Sequence, residues 1–329
     1  MFTTQSRSSE SAAKRQSGRN IIEVRAPTKH LPLPQEERPY RWCTLPLEDE
    51  DYLNKMLHFE VKEDDVYVVT FPKCGTTWIQ EATWVLVHDL DYAAAKKEQL
   101  MRRSPYMEIK GFYGGFPFDT IEAAKHIPSP RVLKSHLPAC LIPHEIWSKK
   151  AKVVYCARNP KDMAVSFYHF HRGLGTWEGT IDEFVDDLIN GDIMYSPYWY
   201  HVWDFWQMRN EENVFFATYE DMKRDLRKVL IDLNKFLGKP DLSEEQLQQL
   251  QEHLSFKNMK ENSSANPTEL IVNSHASNKV KPDFEFMRRG IVGSYKDELS
   301  PETQAKLDEW IAEHLKEFNI SLEEIFGQI

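Results

Sequence analysis

The chain has 329 residues, 41% of them hydrophobic and 28% charged, which is enough apolar material to bury a full core and too little polarity for a largely disordered chain. Acids outnumber bases by 51 to 41, and the net charge of −10 repels nucleic acid and anionic membranes in general while leaving room for a local basic pocket. No run reaches the roughly 18 apolar residues of a membrane span and no apolar secretory leader stands at the N-terminus, so a cytoplasmic protein with neither nucleic acid nor membrane as partner is expected.

Residues 1–40 read as a flexible tail and linker. Positions 1–30 are rich in Ser, Thr and Gln with no sustained apolar period, and Pro27, Pro32, Pro34 and Pro39 follow. The folded part is expected over 41–329. Val66-Tyr67-Val68-Val69-Thr70-Phe71 has the continuous apolar character of a strand buried on both faces, and a helix is predicted from Thr76 or Thr77 to about Asp89. A second strand is predicted at 131–134. A third, Lys152-Val153-Val154-Tyr155-Cys156-Ala157, ends at Asn159-Pro160, an N-cap followed by proline at the first helical position. A fourth, 214–218, feeds a helix through Leu226, Val229, Leu230, Leu233 and Leu237 that stops at Gly238. Later helices begin at Ser243, with Gln246 completing a capping box, and at Ser300-Pro301. Strands alternating with helices across connections long enough for crossovers predict an α/β fold, a single domain with a central parallel sheet flanked by helices.

Four segments bear chemistry. Phe71-Pro72-Lys73-Cys74-Gly75-Thr76-Thr77-Trp78 links a buried strand to a helix start. Consecutive backbone N–H groups converge on the positive helix end, Gly75 lets the backbone approach closely, and Lys73 adds a full charge, so an anion such as phosphate belongs there. The loop is P-loop-like without being a Walker A motif, since its lysine precedes the only glycine. In Arg131-Val132-Leu133-Lys134-Ser135-His136-Leu137-Pro138, Lys134 and His136 are two apart on a strand, so a cation and a titratable base share a face at the C-terminal edge where open α/β sheets bind ligands. Arg158 leaves the third strand at the same edge, and Ser166 lies about two turns into the next helix, where a hydroxyl beside a guanidinium suits a second phosphate. The fourth segment places Arg288 and Arg289 before Gly290 in an otherwise acidic protein. The four cysteines, Cys43, Cys74, Cys140 and Cys156, have no disulfide or C-x-x-C pattern and fit a reducing compartment, and no His, Cys or acid cluster calls for a metal.

In this order, and together with Gly175-Thr176-Trp177, Tyr219-Glu220-Asp221-Met222 and Ser255-Phe256-Lys257-Asn258-Met259-Lys260, the segments resemble the cytosolic sulfotransferase family over roughly residues 45–329. These enzymes move a sulfuryl group from 3′-phosphoadenosine 5′-phosphosulfate (PAPS) to an acceptor hydroxyl or amine and release PAP. The resemblance implies a PAPS-dependent sulfotransferase of the EC 2.8.2 class. By family position Lys73 and the backbone of Cys74, Gly75, Thr76 and Thr77 bind the phosphosulfate, and Trp78 packs on the adenine. Tyr219 and Phe256 touch the adenine, and Met259 joins the cofactor-binding set. Arg158, Ser166, Arg288, Arg289 and Gly290 match the 3′-phosphate ligands. His136 matches the catalytic base and Lys134 its companion cation, while Tyr106, Ile109 and Phe170, with Lys134 and His136, line the acceptor pocket. A histidine with an ordinary pKa near 6.5 suits the removal of a hydroxyl proton, and Lys73, Lys134 and the loop N–H groups suit the charge that builds on the transferring group. The implied acceptor is a small, mostly hydrophobic phenol, catechol, sterol or retinoid, and some insect relatives act on retinol and then eliminate sulfate. A silent nucleotide-binding module would keep the phosphate loops and lose the base, which is present here.

Four departures stand out. Cys74 replaces the usual serine, and a thiol at a helix N-terminus is expected to have a lowered pKa and to be sensitive to oxidants. Leu254 replaces a threonine that contacts adenine, and Ser294-Tyr295 replaces Asp-Trp. The family's dimerisation motif keeps Lys296, but Ser300-Pro301 stands for Thr-Val and Ala305 for glutamate, so the usual dimer is not expected.

Overall fold

The computed structural model describes residues 2–6, 21–33, 40–46, 50–112, 118–273 and 280–328. Its strands are β1 (Thr3–Ser6), β2 (Ile22–Pro27), β3 (Tyr40–Leu45), β4 (Val66–Val69), β5 (Val132–Ser135), β6 (Lys152–Ala157) and β7 (Val214–Thr218). The helices that position the site are α1 (Glu50–Leu57), α2 (Thr76–Val87), α3 (Pro160–Gly173), α4 (Tyr198–Gln207), α5 (Leu226–Phe236), α6 (Glu244–His253) and α7 (Pro301–Phe318).

Side chains of a strand alternate between faces, and β4 is buried at every position, so it needs a core on each side. Val66 and Val68 pack with Val154, Cys156, Ile79 and Leu230, whereas Tyr67 and Val69 pack with Leu133, Tyr155 and Phe205. β4 pairs in parallel with β5 on one side and β6 on the other, and β6 pairs in parallel with β7, giving the order β5-β4-β6-β7. The chain reverses its direction of winding about β4, which opens a crevice at the C-terminal strand ends. Arg131, expected within the second strand, stands just before it. Its guanidinium forms a buried pair with Asp65, Nε to Oδ1 at 2.7 Å and Nη2 to Oδ2 at 2.6 Å, fixing the entry of β4 beside that of β5. Removing one partner of such a pair costs about 3–5 kcal/mol, because the other charge stays buried.

The expected caps are present. Asn159 accepts the Lys161 N–H at 2.8 Å with Pro160 in the first helical turn, Ser243 and Gln246 form a reciprocal box, and Ser300 caps α7. Gly238, just past α5, has a φ of 76°. Among the described residues no helix is long and apolar enough to cross a membrane.

The N-terminal region departs from the expected tail. Residues 2–6 and 21–33 are built into the fold: β1, β2 and β3 form an antiparallel sheet, and Val24, Ala26, Leu31, Cys43 and Leu45 are buried in the main core. The pairing is long-range, and its apolar positions are spaced for one buried strand face, too few to register in a polar stretch. Pro34 and Pro39 of the expected linker lie outside the described residues. The sheet reaches the crevice: Thr44 N–H donates to Ser196 O at 2.9 Å and Thr44 O accepts the Tyr195 N–H at 2.6 Å. Tyr195 adopts a φ of 70°, a left-handed conformation that costs a non-glycine residue about 1–3 kcal/mol and persists where neighbouring bonds fix it.

Candidate active site

The turn between β4 and α2 holds two residues with positive φ, Lys73 at 65° and Gly75 at 89°, an alternation that turns successive N–H groups toward one side. A Cβ at Gly75 would meet Tyr219 Cδ2 at 2.8 Å, so space as well as conformation requires glycine. No side chain caps α2, and Thr76 and Thr77 of its first turn line the crevice, where a helix N-terminus suits an anion. Lys73 Nζ stands 4.0 Å from the centre of the Phe286 ring and 4.6 Å from that of Phe170, and donates to Phe286 O at 3.4 Å. Burial, then the charges of Arg158, Lys134 and Arg288, bring its pKa down to about 7.

Cys74 differs from expectation. Its side chain is fully buried, and burial holds the thiol well above its ordinary range, with Arg158 a weaker opposing influence. The helix N-terminus acts on the backbone at this position while the sulfur faces the core, near the equally buried Cys156, so the premise of a reactive thiol fails.

His136 follows β5 directly. Its Nδ1 lies 2.8 Å from Thr70 O, and a carbonyl only accepts, so Nδ1 bears the proton and Nε2 keeps the lone pair in the neutral ring. Burial, followed by the Lys134 charge, keeps the imidazole pKa well below 6.5, so the ring is neutral at pH 7. Thr70 Oγ1 is 3.2 Å from the same nitrogen and 2.6 Å from Thr76 Oγ1, joining the base to the first residue of α2. Lys134 Nζ lies 4.2 Å from the centre of the Tyr106 ring, and burial lowers its pKa to about 8 against the opposing charge of Glu108. The rings of Tyr106 and Tyr195 stand edge-on to His136 at 5.1 and 5.6 Å, and their hydroxyls are bonded to each other.

Arg158, just beyond β6, ties two loops together: Nη1 donates to Lys73 O at 3.2 Å and Nη2 to Ile291 O at 3.3 Å, while the guanidinium lies 4.4 Å from the centre of the Tyr219 ring. Its Nε is buried without a partner. Asp162 on α3 holds the late loop, accepting from Gly293 N at 2.6 Å, Ser294 Oγ at 3.0 Å and Tyr295 N at 3.2 Å. Arg288 and Arg289 are already engaged. Arg288 forms a two-point pair with Glu298 at 3.0 and 2.6 Å, and Arg289 bonds Glu298 at 3.2 Å and Asp297 at 2.8 Å.

A cleft of about 710 Å³ joins these groups. It is lined by Lys73, Gly75, Thr76, Thr77, Trp78, Tyr106, Ile109, Lys134, His136, Arg158, Ser166, Phe170, Tyr219, Phe256, Met259, Arg288, Arg289 and Gly290. Of the residues expected at the site, Cys74 alone does not line it. Trp78 and Tyr219 meet edge-on at 5.7 Å, and Gly290 lies so near Phe256 that a Cβ would stand 2.3 Å from its ring. Sequence reasoning missed Thr70, Asp162, Tyr195, Glu108 and the acids opposite Arg288. Thr70 had a signal, a polar residue closing an apolar strand, whereas the others acquire meaning only through tertiary contacts.

The chain belongs to the sulfotransferase family: the model of the sulfotransferase domain matches residues 63–319. It is thus a transferase of the sulfotransferase class. It is 35% identical over 270 residues to luciferin sulfotransferase of Photinus pyralis, covering 77% of this chain and 72% of that protein. It is also 35% identical over 267 residues to sulfotransferase 1 family member D1 of Mus musculus, covering 79% and 86%. Among solved structures, retinol dehydratase in a complex with retinol and PAP superposes with a TM-score of 0.79 at 25% identity over 96% of this chain and 97% of that one. Mouse sulfotransferase SULT7A1 complexed with PAP gives 0.65 at 26% identity over 84% and 93%.

The four cysteines are free and buried. Native protein is therefore expected to react slowly at every thiol, Cys74 included, in a colorimetric thiol titration, and to release all four on denaturation. Reaction of Cys74 at the rate of a free thiol would contradict its inward placement.

Proposed function

We propose that the protein transfers a sulfuryl group from PAPS to a hydroxyl, or an amine, of a small and mostly hydrophobic acceptor, with His136 as general base. The observation that supports this most is a neutral histidine, its tautomer set by Thr70 O, facing the same cleft as Lys73 and Lys134. The residues present fit PAPS. Arg158 has an idle buried Nε, the α2 N-terminus lacks a side-chain cap, and Gly75 and Gly290 leave room for close approach. Lys73 and the 74–77 backbone would hold the phosphosulfate end. Arg158, Ser166, Arg288, Arg289 and Gly290 would hold the 3′-phosphate, with Trp78, Tyr219, Phe256 and Met259 around the adenine. When bound, PAPS supplies the sulfuryl group: the acceptor oxygen–sulfur bond forms, the bond from sulfur to the 5′-phosphate oxygen breaks, and PAP leaves.

His136 Nε2 takes the acceptor proton while Nδ1–H remains on Thr70 O, so the ring need not turn during the step. Lys73, Lys134 and the loop N–H groups are fixed before reaction and stabilise negative charge without reorganising. Tyr106, Ile109, Phe170 and Tyr195 give the acceptor end an apolar wall with a polar tip, which supports a phenol, catechol, sterol or retinoid. The names of the luciferin and retinol proteins to which the chain is similar agree with this class. Four unpaired cysteines support a cytoplasmic setting.

Labelled sulfate is expected to pass from PAPS to a member of a panel of phenols, catecholamines, sterols and retinol. His136→Ala is expected to lower kcat on the order of 10²–10⁴-fold with PAP binding retained. PAP that fails to bind the wild type, or a His136→Ala variant with full activity, would sink the reading.

Lys73 and Lys134 lose their charge as the pH rises through about 7 and about 8, respectively. PAP affinity is therefore expected to fall between about pH 6 and about pH 9, with protons taken up on binding, because a bound anion restores the ammonium charge. Calorimetry in buffers of different ionisation enthalpy measures both, and a pH-independent affinity with no proton uptake would contradict the assignment.

Ser300 and Pro301 are spent on starting α7, and Ser300 Oγ accepts the Thr303 N–H at 3.1 Å. This supports a chain that does not dimerise through 296–305. Light scattering should give a monomer, or a dimer indifferent to changes at Lys296 and Ser300; a dimer abolished by those changes would contradict this.

A further inference from the structure

A buried carboxylate, Glu108, packs behind the acceptor end of the cleft, and none of the roles above uses it. Backbone pairing explains its position. Lys134 N–H donates to Pro105 O at 2.8 Å and Met107 N–H donates to Lys134 O at 2.9 Å, so Tyr106 forms an isolated parallel bridge beside β5. Glu108, two residues beyond Tyr106, falls against the turn that holds His136. Glu108 is 1% exposed; Oε1 accepts the backbone N–H of His136 at 2.5 Å and lies 3.5 Å from the Tyr195 hydroxyl, whereas Oε2 has no hydrogen-bond partner. Burying a carboxyl with one idle oxygen is unfavourable, and such groups gather where a protein uses their charge.

Four further groups interact with the carboxyl: Lys134 from β5, Ser135 beside it, Tyr195 from the segment before α4, and Cys43 from β3. Tyr106 connects them, bonded to Tyr195 and stacked under the Lys134 ammonium. His201 on α4 donates from Nε2 to His136 O at 3.0 Å and fixes the next peptide, on the other side of the His136 Cα. Burial raises the Glu108 carboxyl to about 7, opposed by the His136 N–H bond and by Lys134.

We propose that Glu108 is a positioning residue for sulfuryl transfer: its carboxylate fixes the His136 backbone, holds the Lys134 ammonium at the acceptor end, and supplies the fixed negative charge that stabilises the imidazolium. The proton moves from the acceptor hydroxyl to His136 Nε2, and Glu108 gives and takes none. The inference rests on the sulfotransferase reading of the site.

The test compares wild type with Glu108→Gln, which keeps an oxygen for the His136 N–H and removes the charge. It measures PAP affinity, kcat and acceptor KM across pH, and the backbone amide resonance of His136 in protein without ligand. In the wild type kcat is expected to fall as the pH drops through about 7 and the carboxyl protonates, and the His136 amide should sit downfield and move over the same range. Glu108→Gln should lose on the order of 10–100-fold in kcat, the size of loss seen when the hydrogen-bond partner that orients a metal-bound residue is removed, with little change in acceptor KM and PAP affinity. The fall in kcat through about pH 7 should vanish, leaving only the fall at lower pH where His136 itself takes a proton, and the variant's His136 amide resonance should move upfield and stop responding around pH 7. Wild-type kcat and pH profile in Glu108→Gln would overturn the inference, as would a His136 amide identical in the two proteins and indifferent to pH. A wild type that binds PAP yet sulfates no acceptor marks instead the failure of the proposed function, and the amide comparison still decides whether the carboxylate acts on His136.

Discussion

Lys73 holds its ammonium against two aromatic rings and close to the Arg158 guanidinium, with Lys134 farther along the same cleft and no carboxylate paired to Lys73 among the described residues. Like charges gathered in a poorly solvated place repel, and burial together with the neighbouring cations brings the Lys73 pKa down to about 7. A fold tolerates this where an anion is to be received. The rest of the site depends on that constraint. The left-handed turn at Lys73 and Gly75 aims backbone dipoles at the same point, Arg158 clamps the turn to the late loop, and the rings of Phe170 and Phe286 hold the ammonium without neutralising it. Arg288 and Arg289, nearer to solvent, meet the same excess of charge differently, through Glu298 and Asp297, which an incoming phosphate would have to replace.

The sheet joins this anion site to the base. β4 runs into the turn, and its next residue, Thr70, fixes the His136 tautomer through its carbonyl and reaches Thr76 at the head of α2 through its hydroxyl. β5, paired to β4, delivers Lys134 and His136 to the same edge. One parallel register therefore sets the distance between the group that binds the anion and the group that accepts the proton. The N-terminal sheet closes the arrangement from the other side by holding Tyr195 in a conformation it would not adopt alone.

Much of this could be read in the sequence because the signals are local and dense. The apolar runs of β4, β6 and β7, the Asn159-Pro160 start, the Ser243 box and the lysine–glycine turn each need only a few neighbouring residues to define them. The edges were less legible: Arg131 read as a strand residue because its aliphatic neighbours do, whereas its ion pair with Asp65 places it just outside. β1, β2 and β3 escaped because their strands pair across stretches too polar to suggest a core. Cys74 misled because a helix N-terminus acts on whatever faces it, and the thiol faces inward. Glu108, Tyr195 and Glu298 had no signal, since each matters only for the residue it meets across the fold.

The central claim is that the cations of the cleft are arranged for the two ends of one nucleotide, and a crystal structure of the PAP complex tests it most directly. The expected result places the 5′-phosphate on the N–H groups of 73–77 and the 3′-phosphate against Arg158 and Ser166, with Arg288 released from Glu298. PAP bound outside the cleft, or with neither phosphate touching Lys73 or Arg158, would contradict it.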